Sequence, residues 1–269
     1  MRSASAALAT AVTLTALVAL TGCGGPSQAA DAAQPSARHF EGVPFVGVLI
    51  ADGEHHCTAS VVDSPKGNLI ATAAHCVDFT PEDEADGYEP GPLTGDVEFA
   101  PRFSGAGEGS APYGKWKVSG IHLPDTWESS DDDRGDYAFL TVEPDARGRN
   151  IQEVVGAATP DWSSGPNRHV TVVGYPYENR NPGNRPITCT TDTRRDDDQP
   201  YMARMTCGGF YEGTSGGPWL ADYRDARRPG RLIGVLSGGD TDDESTAVLF
   251  DQQARALYER VTGGAAKAS

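Results

Sequence analysis

The 269-residue sequence has no long apolar run after residue 20, and it is poor in basic residues and in cysteine. Without such a run, no later segment is expected to cross a bilayer as a helix. Lysine and arginine number 22 against 38 aspartates and glutamates, and the net charge of −16 argues against a nucleic-acid or anionic lipid partner. No motif for a nucleotide or organic cofactor is visible, so we predict no cofactor and no required metal.

The first 23 residues have the organisation of an export signal. The apolar stretch at 6–20 has the length of a signal-peptide core. It ends in Leu20-Thr21-Gly22-Cys23, which resembles a bacterial lipobox, where a cysteine is lipidated and becomes the new N-terminus. We therefore predict a lipoprotein signal peptide at 1–23 and an extracytoplasmic protein whose only membrane contact is an acyl anchor on Cys23. Cleavage near Ala29-Ala30 would instead release a secreted protein.

Residues 24–39 are mostly Gly, Ala, Ser, Pro and Gln, a composition that predicts a flexible tether. The last residues, 263–269, are predicted to be a disordered tail. Between them lie roughly 220 residues, enough for one large domain or two small packed domains.

From Phe40 onward the sequence is typical of short strands. β-branched apolar stretches, such as those at 43–50 and 69–74, are separated by turns such as Asp52-Gly53. This spacing predicts an antiparallel sandwich or barrel. Only the end of the chain has a helical pattern: Ala254, Leu257 and Val261 recur at intervals of three and four and predict a short amphipathic helix at 251–262.

Four cysteines remain when Cys23 is assigned to the lipid. An even number in an exported chain indicates disulfide bonds, and three pairings are open. We prefer Cys57 with Cys76 and Cys189 with Cys207, because each pair closes a short loop beside a candidate catalytic segment.

The stretch Gly213-Thr214-Ser215-Gly216-Gly217-Pro218 surrounds one hydroxyl with small and turn-forming residues. Its glycines let another molecule approach Ser215. Such a loop can also aim the N–H groups of Gly213 and Ser215 at one point, as a developing oxyanion requires. Ser215 is therefore the candidate nucleophile, with an ordinary turn as the alternative. The nucleophile elbow of α/β-hydrolases fits the same residues but requires a later histidine, and the last histidine is His169.

His75 and Asp136 are the candidate partners of that serine. His75 ends an apolar strand beside a cysteine, a rigid position that suits proton transfer, and a semi-buried structural histidine is the alternative. A zinc site from His56, Cys57, His75 and Cys76 is another alternative, which export to an oxidising compartment disfavours. Among the aspartates at 131–136, only Asp136 joins an apolar strand directly, where a buried carboxylate can orient an imidazole. The acidic run at 81–86 is a solvated loop by default, with calcium binding as its alternative.

Taken in order, His75, Asp136 and Ser215 form a pattern that resembles the chymotrypsin-like (trypsin-like) serine peptidases. The matching stretches are Thr72-Ala73-Ala74-His75-Cys76, Asp136-Tyr137-Ala138-Phe139-Leu140 and Gly213-Thr214-Ser215-Gly216-Gly217-Pro218. Val173-Gly174-Tyr175-Pro176 and the cysteine eight residues before the serine are similar to the bacterial branch that includes glutamyl endopeptidases.

The resemblance implies an all-β fold of two six-stranded antiparallel β-barrels, at 40–145 and 146–250, with the active site between them and a short C-terminal helix. It implies a monomeric serine endopeptidase that hydrolyses peptides or proteins through an acyl-enzyme. Ser215 would attack the carbonyl, His75 would act as base and then acid, and Asp136 would fix its tautomer. The alternative is a peptidase-like protein that binds peptides without turnover, and an esterase on the same fold is a third reading.

Substrate preference follows from positions counted against the same resemblance. Ser237, Gly238 and Gly239 resemble the edge that pairs with the substrate backbone. Gly209 stands where a trypsin-type pocket has its acid, and Leu236 stands where the glutamyl branch has a histidine. With Phe210, these residues predict a small or apolar substrate side chain, whereas an acidic one would need a cation from Arg185, Arg194 or Arg195.

Thr214 precedes the candidate nucleophile, where trypsin-type zymogens carry an aspartate that receives a freed N-terminal ammonium. A threonine cannot form that ion pair, so we expect a protein that needs no activation by N-terminal insertion.

Overall fold

A computed structural model describes residues 34–80, 90–107, 109–130 and 132–263. The strands are β1 (Arg38–His39), β2 (Val46–Ala51), β3 (Glu54–Val62), β4 (Leu69–Thr72), β5 (Asp78–Phe79), β6 (Gly91–Pro92), β7 (Val97–Pro101), β8 (Trp116–His122), β9 (Ala138–Val142), β10 (Thr159–Pro160), β11 (His169–Gly174), β12 (Ile187–Arg195), β13 (Met202–Thr206), β14 (Pro218–Ala221), β15 (Arg231–Thr241) and β16 (Glu244–Leu249). The helices are α1 (Asp125–Ser130), α2 (Ile151–Val155) and α3 (Gln252–Thr262), and 3₁₀ turns lie at Ala74–Cys76 and Asp133–Gly135.

The first barrel closes in the order β2-β3-β4-β9-β8-β7, with every neighbouring pair antiparallel. Its first hairpin turns at Asp52 (φ 48°) and Gly53 (φ 86°), and the sequence pair Asp-Gly is favoured in two-residue turns of this kind. Gly47 on β2 lies against β7, where an added Cβ would stand 2.1 Å from the Ala100 carbonyl oxygen. The barrel therefore closes only because residue 47 has no side chain.

The second barrel consists of β11-β12-β13-β16-β15-β14, closed by the pairing of β14 with β11. The predicted fold of two six-stranded antiparallel barrels with a C-terminal helix is confirmed. A hydrophobic cluster that includes Val172, Met205, Trp219 and Ile233 fills this barrel. A second, larger cluster fills the first barrel and continues into the contact between the two barrels.

Helix α3 packs against the larger hydrophobic cluster through Ala254 and Leu257. Asp251 caps its first turn by accepting from the N–H groups of Gln253 and Ala254, and Gly263 ends it at φ 74°. Tyr258 of the helix lies against the ring of Phe139 in the first barrel, with centroids 6.0 Å apart, and its hydroxyl donates to the Asp63 carbonyl. The helix thus fastens the C-terminal end of the chain to the first barrel.

The segment between the barrels begins with α2, which carries a capping box between Asn150 and Glu153. The main chain around it bonds to the first barrel, through Gln152 N–H to the Gly67 carbonyl at 3.0 Å and Ala158 N–H to the Val61 carbonyl at 3.0 Å. The boundary drawn from sequence at 145/146 therefore precedes a stretch that the structure joins to the first barrel.

The end of the predicted tether is ordered against the second barrel. β1 pairs antiparallel with β12, and the Ala37 N–H donates to the Gly208 carbonyl at 2.8 Å. Composition pointed to flexibility because these side chains bury little, but the backbone groups of residues 36–39 find partners in the sheet. Cys23 and the signal-peptide residues, the rest of the tether, the acidic loop at 81–86 and residues 264–269 lie outside the described residues. Within the described residues, no helix has the length and apolarity to span a membrane.

Candidate active site

His75 lies in the 3₁₀ turn that follows β4, because the strand ends at Thr72 and not at His75 as the sequence predicts. Its neighbours Ala74 and Cys76 are buried, whereas the His75 side chain is 31% exposed. The disulfide between Cys57 and Cys76 joins this turn to β3, with Cα atoms 6.1 Å apart. The imidazole is therefore accessible while its backbone is fixed on both sides.

Both preferred disulfides, Cys57–Cys76 and Cys189–Cys207, are present. The sulfurs of Cys57 and Cys76 lie within 4.8 Å of a ring nitrogen of His75, the arrangement that suggested zinc. Because the two sulfurs are bonded to each other, they are not thiolate ligands. The zinc alternative is therefore rejected in favour of the disulfide.

Asp136 follows the 3₁₀ turn Asp133–Gly135 and leads through Tyr137 into β9. Its carboxylate is 3% exposed and lies against His75. The His75 Nδ1 lies 3.0 Å from Oδ1 and 2.9 Å from Oδ2 of this carboxylate, and the His75 backbone N–H donates to Oδ1 at 3.0 Å. A proton on Nδ1 is thereby held by the carboxylate, which leaves Nε2 as the nitrogen that can accept one.

The charge state of Asp136 follows from a balance of opposing effects. Burial alone would raise the pKa of the Asp136 carboxyl, but the charge of His75 and the hydrogen bonds from His75 and Ser237 outweigh it and hold the pKa below its ordinary value. The carboxylate is therefore ionised at neutral pH although it is buried.

Ser237 contacts Asp136, although the sequence analysis assigned it only to substrate binding. Its hydroxyl donates to Oδ2 of Asp136, across 101 positions of sequence and from the second barrel to the first. It lies on β15, where the register against β16 shifts between Leu236 and Gly238. No local pattern marks this contact, because it depends on the packing of one barrel against the other.

The loop that carries Ser215 has glycines in backbone conformations that other residues rarely adopt. Gly213 (φ 89°) and Gly216 (φ 78°) both have positive φ, which places the half-buried Ser215 on a turn between them. Thr214 is buried, and it closes this turn with its N–H and its hydroxyl, both of which donate to the Tyr211 carbonyl, at 3.1 and 2.6 Å. The residue before the serine is thus satisfied locally, without an ion pair.

The Ser215 loop is packed against the strand that leads to His75. An added Cβ on Gly216 would lie 2.1 Å from Oγ1 of Thr72 and 2.9 Å from the nitrogen of Ala73, two residues before His75. The Thr58 N–H, next to Cys57, donates to the Ser215 carbonyl at 2.9 Å. Among the described residues the Ser215 hydroxyl makes no hydrogen bond to the imidazole, and bonds of this kind are often long before substrate is bound.

The two predicted oxyanion donors are unpaired within the described part of the chain. The N–H groups of Gly213 and Ser215 have no acceptor there, although those of Thr214, Gly216 and Gly217 on the same loop do. A turn that satisfies its other amides and leaves these two without a partner can offer both to an incoming oxygen.

The residues predicted to set substrate preference have two different environments. Phe210 and Leu236 are 8% and 3% exposed and belong to the hydrophobic cluster of the second barrel. Gly209 has φ 103°, and its N–H donates to the Asp242 carbonyl at 3.1 Å. Among the residues that the structure describes, no atom lies within 4 Å of an added Cβ on Gly238, so the described part of this edge is open beside Ser237.

The three arginines that could bind an acidic substrate side chain differ in whether they already have partners. Arg194 pairs with Asp197 at 2.7 Å and with Glu244 at 3.7 Å, and Arg195 donates to the Pro200 carbonyl. Arg185 is exposed on the loop before β12. Two of the three guanidinium groups thus already have partners.

A groove that sequence reasoning missed lies beside the disulfide. It has a volume of about 1070 Å³, and its lining includes Asp52, Glu54, His55, His56 and Tyr177. The Tyr177 hydroxyl donates to the His56 carbonyl at 2.6 Å, which joins the second barrel to β3 at this point. The groove is lined by several stretches of the chain that lie between Val48 and Asn184, so no local motif predicts it.

The family model described as Trypsin matches residues 33–254. The chain belongs to the trypsin family. No protein with a curated description matches it.

Several solved structures share the trypsin-family fold. The protease Anisep from Arthrobacter nicotinovorans is 21% identical with a TM-score of 0.71, over 84% of this chain and 99% of that one. A thermostable serine protease, AL20, from an extremophilic microorganism is 23% identical with a TM-score of 0.68, over 82% and 97% of the two chains. A Glu endopeptidase in complex with MPD is 16% identical with a TM-score of 0.67, over 86% and 98%. At these identities the likeness establishes the fold.

Proposed function

We propose that this trypsin-family protein is a serine endopeptidase in which Ser215, His75 and Asp136 act as nucleophile, base and orienting acid. The observation that carries the proposal is the bonded His75–Asp136 pair, with the Ser215 loop packed against the strand that leads to His75. Membership of the trypsin family and the fold shared with proteases support the same conclusion.

In the proposed reaction the His75 Nε2 takes the Ser215 hydroxyl proton as the oxygen attacks the scissile carbonyl. The oxyanion is received by the N–H groups of Gly213 and Ser215. Asp136 stabilises the imidazolium, which then protonates the leaving amine, and water hydrolyses the acyl-enzyme by the reverse roles. The buried, ionised state of Asp136 supports its part in this sequence.

The proposed substrates are peptides or proteins, bound in extended form along Ser237, Gly238 and Gly239. We propose a small or apolar side chain before the scissile bond, because Gly209, Phe210 and Leu236 supply no charge and two of the candidate arginines are already paired. The two disulfides support a location in an oxidising, extracytoplasmic compartment. Anchoring through Cys23 and a monomeric state are further parts of the proposal.

Labelling with a sulfonyl fluoride or an organophosphonate tests the mechanism. We expect a mass increase that maps to the peptide containing Ser215, and a matched Ser215→Ala variant that folds, takes no label and loses kcat by about 10⁶. A folded wild-type protein that remains unlabelled, and that cleaves no member of a peptide library while a control peptidase reacts, would refute the peptidase and favour the peptide-binding alternative. The library also reports side-chain preference, and matched ester substrates distinguish an esterase.

A further inference from the structure

Thr58 on β3 is a fully buried residue of the first barrel with an unusual number of polar contacts to the second. Its hydroxyl donates to the Gly213 carbonyl at 2.9 Å and accepts from the Tyr175 N–H at 2.9 Å. Its own N–H donates to the Ser215 carbonyl at 2.9 Å. One residue thus bonds to the main chain on both sides of Thr214, in a loop 155 positions away.

These bonds act on the two peptide groups that flank the Ser215 amide. Because a peptide group is planar, a hydrogen bond to the Gly213 carbonyl fixes the plane of peptide 213–214, and one to the Ser215 carbonyl fixes peptide 215–216. The Ser215 N–H belongs to peptide 214–215, between the two. The carbonyl of that peptide, on Thr214, accepts from the Gly217 N–H at 2.9 Å. The direction of the Ser215 N–H is therefore set by this bond within the turn together with the contacts that Thr58 makes on either side.

The other proposed donor is held by the same region. The Gly213 N–H belongs to peptide 212–213, whose carbonyl on Glu212 accepts from the Tyr177 N–H at 2.9 Å. Tyr175, two residues earlier in that segment, donates to the Thr58 hydroxyl. The hydroxyl therefore joins the Gly213 carbonyl to the segment that orients the Gly213 N–H.

Thr58 is also joined to the part of the chain that carries His75. The Thr72 hydroxyl, at the end of β4, donates to the Thr58 carbonyl at 2.9 Å. Cys57, the preceding residue, is bonded to Cys76, which follows His75. The residue that contacts the nucleophile loop is thus fixed to the imidazole turn by a hydrogen bond and by a disulfide.

We infer that Thr58 is a positioning residue, whose hydroxyl holds the Gly213–Ser215 loop so that both N–H groups point at the oxyanion. The inference rests on the proposed peptidase function. It requires a hydroxyl at position 58, since only a group that donates and accepts can satisfy both the Gly213 carbonyl and the Tyr175 N–H.

The test compares Thr58→Val, which keeps the shape and removes the hydroxyl, with Thr58→Ser, which keeps the hydroxyl. Active-site titration first gives the concentration of competent sites, so that kcat is expressed per titrated site. A merely structural residue would change the titrated fraction and leave kcat per site unchanged. We expect Thr58→Val to lower kcat per site by about 10- to 100-fold, short of the roughly 10²- to 10³-fold loss when an oxyanion donor is removed outright.

Two further measurements distinguish an effect on the transition state from an effect on substrate binding. KM should stay within about twofold of wild type, because substrate does not need the oxyanion donors to bind. The inhibition constant of a peptide boronate, which occupies the oxyanion position as a tetrahedral adduct, should weaken by the same factor as kcat/KM. Thr58→Ser should restore kcat to within about threefold of wild type.

Thr193→Val is the matched control. The Thr193 hydroxyl is buried, accepts from the Arg168 N–H at 3.1 Å and donates to the Pro166 carbonyl at 2.5 Å, so it bridges the main chain as Thr58 does. It contacts none of the residues of the Ser215 loop. We expect this variant to lose stability and to keep wild-type kcat per titrated site.

The inference is overturned if Thr58→Val has wild-type kcat per site, or if Thr58→Ser loses as much as Thr58→Val. Thr58→Ser remains informative even if the valine variant does not fold. A wild-type protein that neither reacts with the titrant nor cleaves peptides would refute the proposed function itself, whereas an active wild type with an unaffected valine variant would refute only the role of Thr58.

Discussion

The two barrels hold their parts of the candidate site by different means. The first barrel supplies His75 and Asp136, 61 positions apart, and joins them directly through the side chain and backbone of the histidine. The second barrel supplies Ser215 on a glycine-rich loop, whose main chain bonds to Thr58 of the first barrel and packs at Gly216 against Thr72. One half is thus organised around a side-chain pair and the other around backbone contacts.

Each half of the site also depends on the opposite barrel. Ser237 of the second barrel donates to Asp136, and Thr58 of the first barrel bonds to the Gly213 and Ser215 carbonyls. Reciprocal contacts of this kind place the reactive groups without a covalent connection between the barrels other than the main chain. Substitutions that disturb the His75–Asp136 pair should alter proton transfer. Substitutions that disturb the Ser215 loop should alter the placement of the oxyanion donors.

Asp136→Asn should have the largest effect among the following tests of this comparison. An asparagine amide at this position favours the wrong tautomer of His75, so kcat should fall by about 10⁴-fold while the fold stays intact. Peptide hydrolysis from pH 6 to 9 and thermal unfolding measure the two quantities. The control is Asp161→Asn, a carboxylate that bonds Ser163 and Ser164 away from the imidazole and whose loss should leave kcat within about twofold. A kcat within tenfold of wild type in Asp136→Asn would remove that carboxylate from the mechanism.

The candidate residues that lie in local motifs could be proposed from the sequence. His75, Asp136 and Ser215 each adjoin a predicted strand or a glycine turn, and the Asp52-Gly53 hairpin and helix α3 follow from turn chemistry and apolar spacing. The two disulfide pairings were likewise accessible, because short loops beside these motifs favoured them.

Contacts between the barrels were not accessible in this way. Thr58 follows a cysteine on β3, and a buried threonine at such a place could equally be a purely structural residue. Its partner Gly213 is 155 positions away. Ser237 is 101 positions from Asp136, and its hydroxyl was assigned to substrate alone. The pairing of the end of the tether with β12 could not be predicted for a related reason, because its partners are backbone groups rather than apolar side chains. Each of these features depends on tertiary packing, which no short pattern records.

Loss of either of the two disulfides should have an effect of intermediate size. Their loops span 19 and 18 positions, so replacing either pair by alanine should cost a similar free energy of unfolding, about 3 kcal/mol by loop entropy. Only loss of Cys57–Cys76 should also lower kcat per active site, because it releases the turn beside His75. Urea unfolding and titrated kinetics separate the two effects, and each double variant is the control for the other. Equal loss of kcat in both variants would contradict a special role for the first disulfide.

His55 and His75 lie in the same barrel and are both half-buried, yet they differ in the groups that surround the ring. His55 on β3 is enclosed by the rings of Tyr175 and Tyr177, whose centroids lie 6.4 and 5.3 Å from its own. Burial lowers the pKa of His55 to about 4, and the nearby charge of His56 acts in the same direction. His75 has a carboxylate partner, whereas His55 is held in its neutral form by desolvation.

His55 should therefore make stability depend on pH in a range where Asp136 stays ionised. Between pH 6.5 and 4 the unfolded chain binds a proton on this histidine and the native protein does not, so native stability falls as the pH is lowered through that window. At pH 5 the loss attributable to His55 is about 2 kcal/mol, from roughly 1.5 pH units at 1.36 kcal/mol each. Urea unfolding at pH 7 and pH 5 should show a smaller difference for His55→Gln than for wild type. Equal pH dependence in wild type and His55→Gln would mean that the ring is protonated in the folded barrel, and the contrast between the two histidines would then rest on the carboxylate of Asp136 alone.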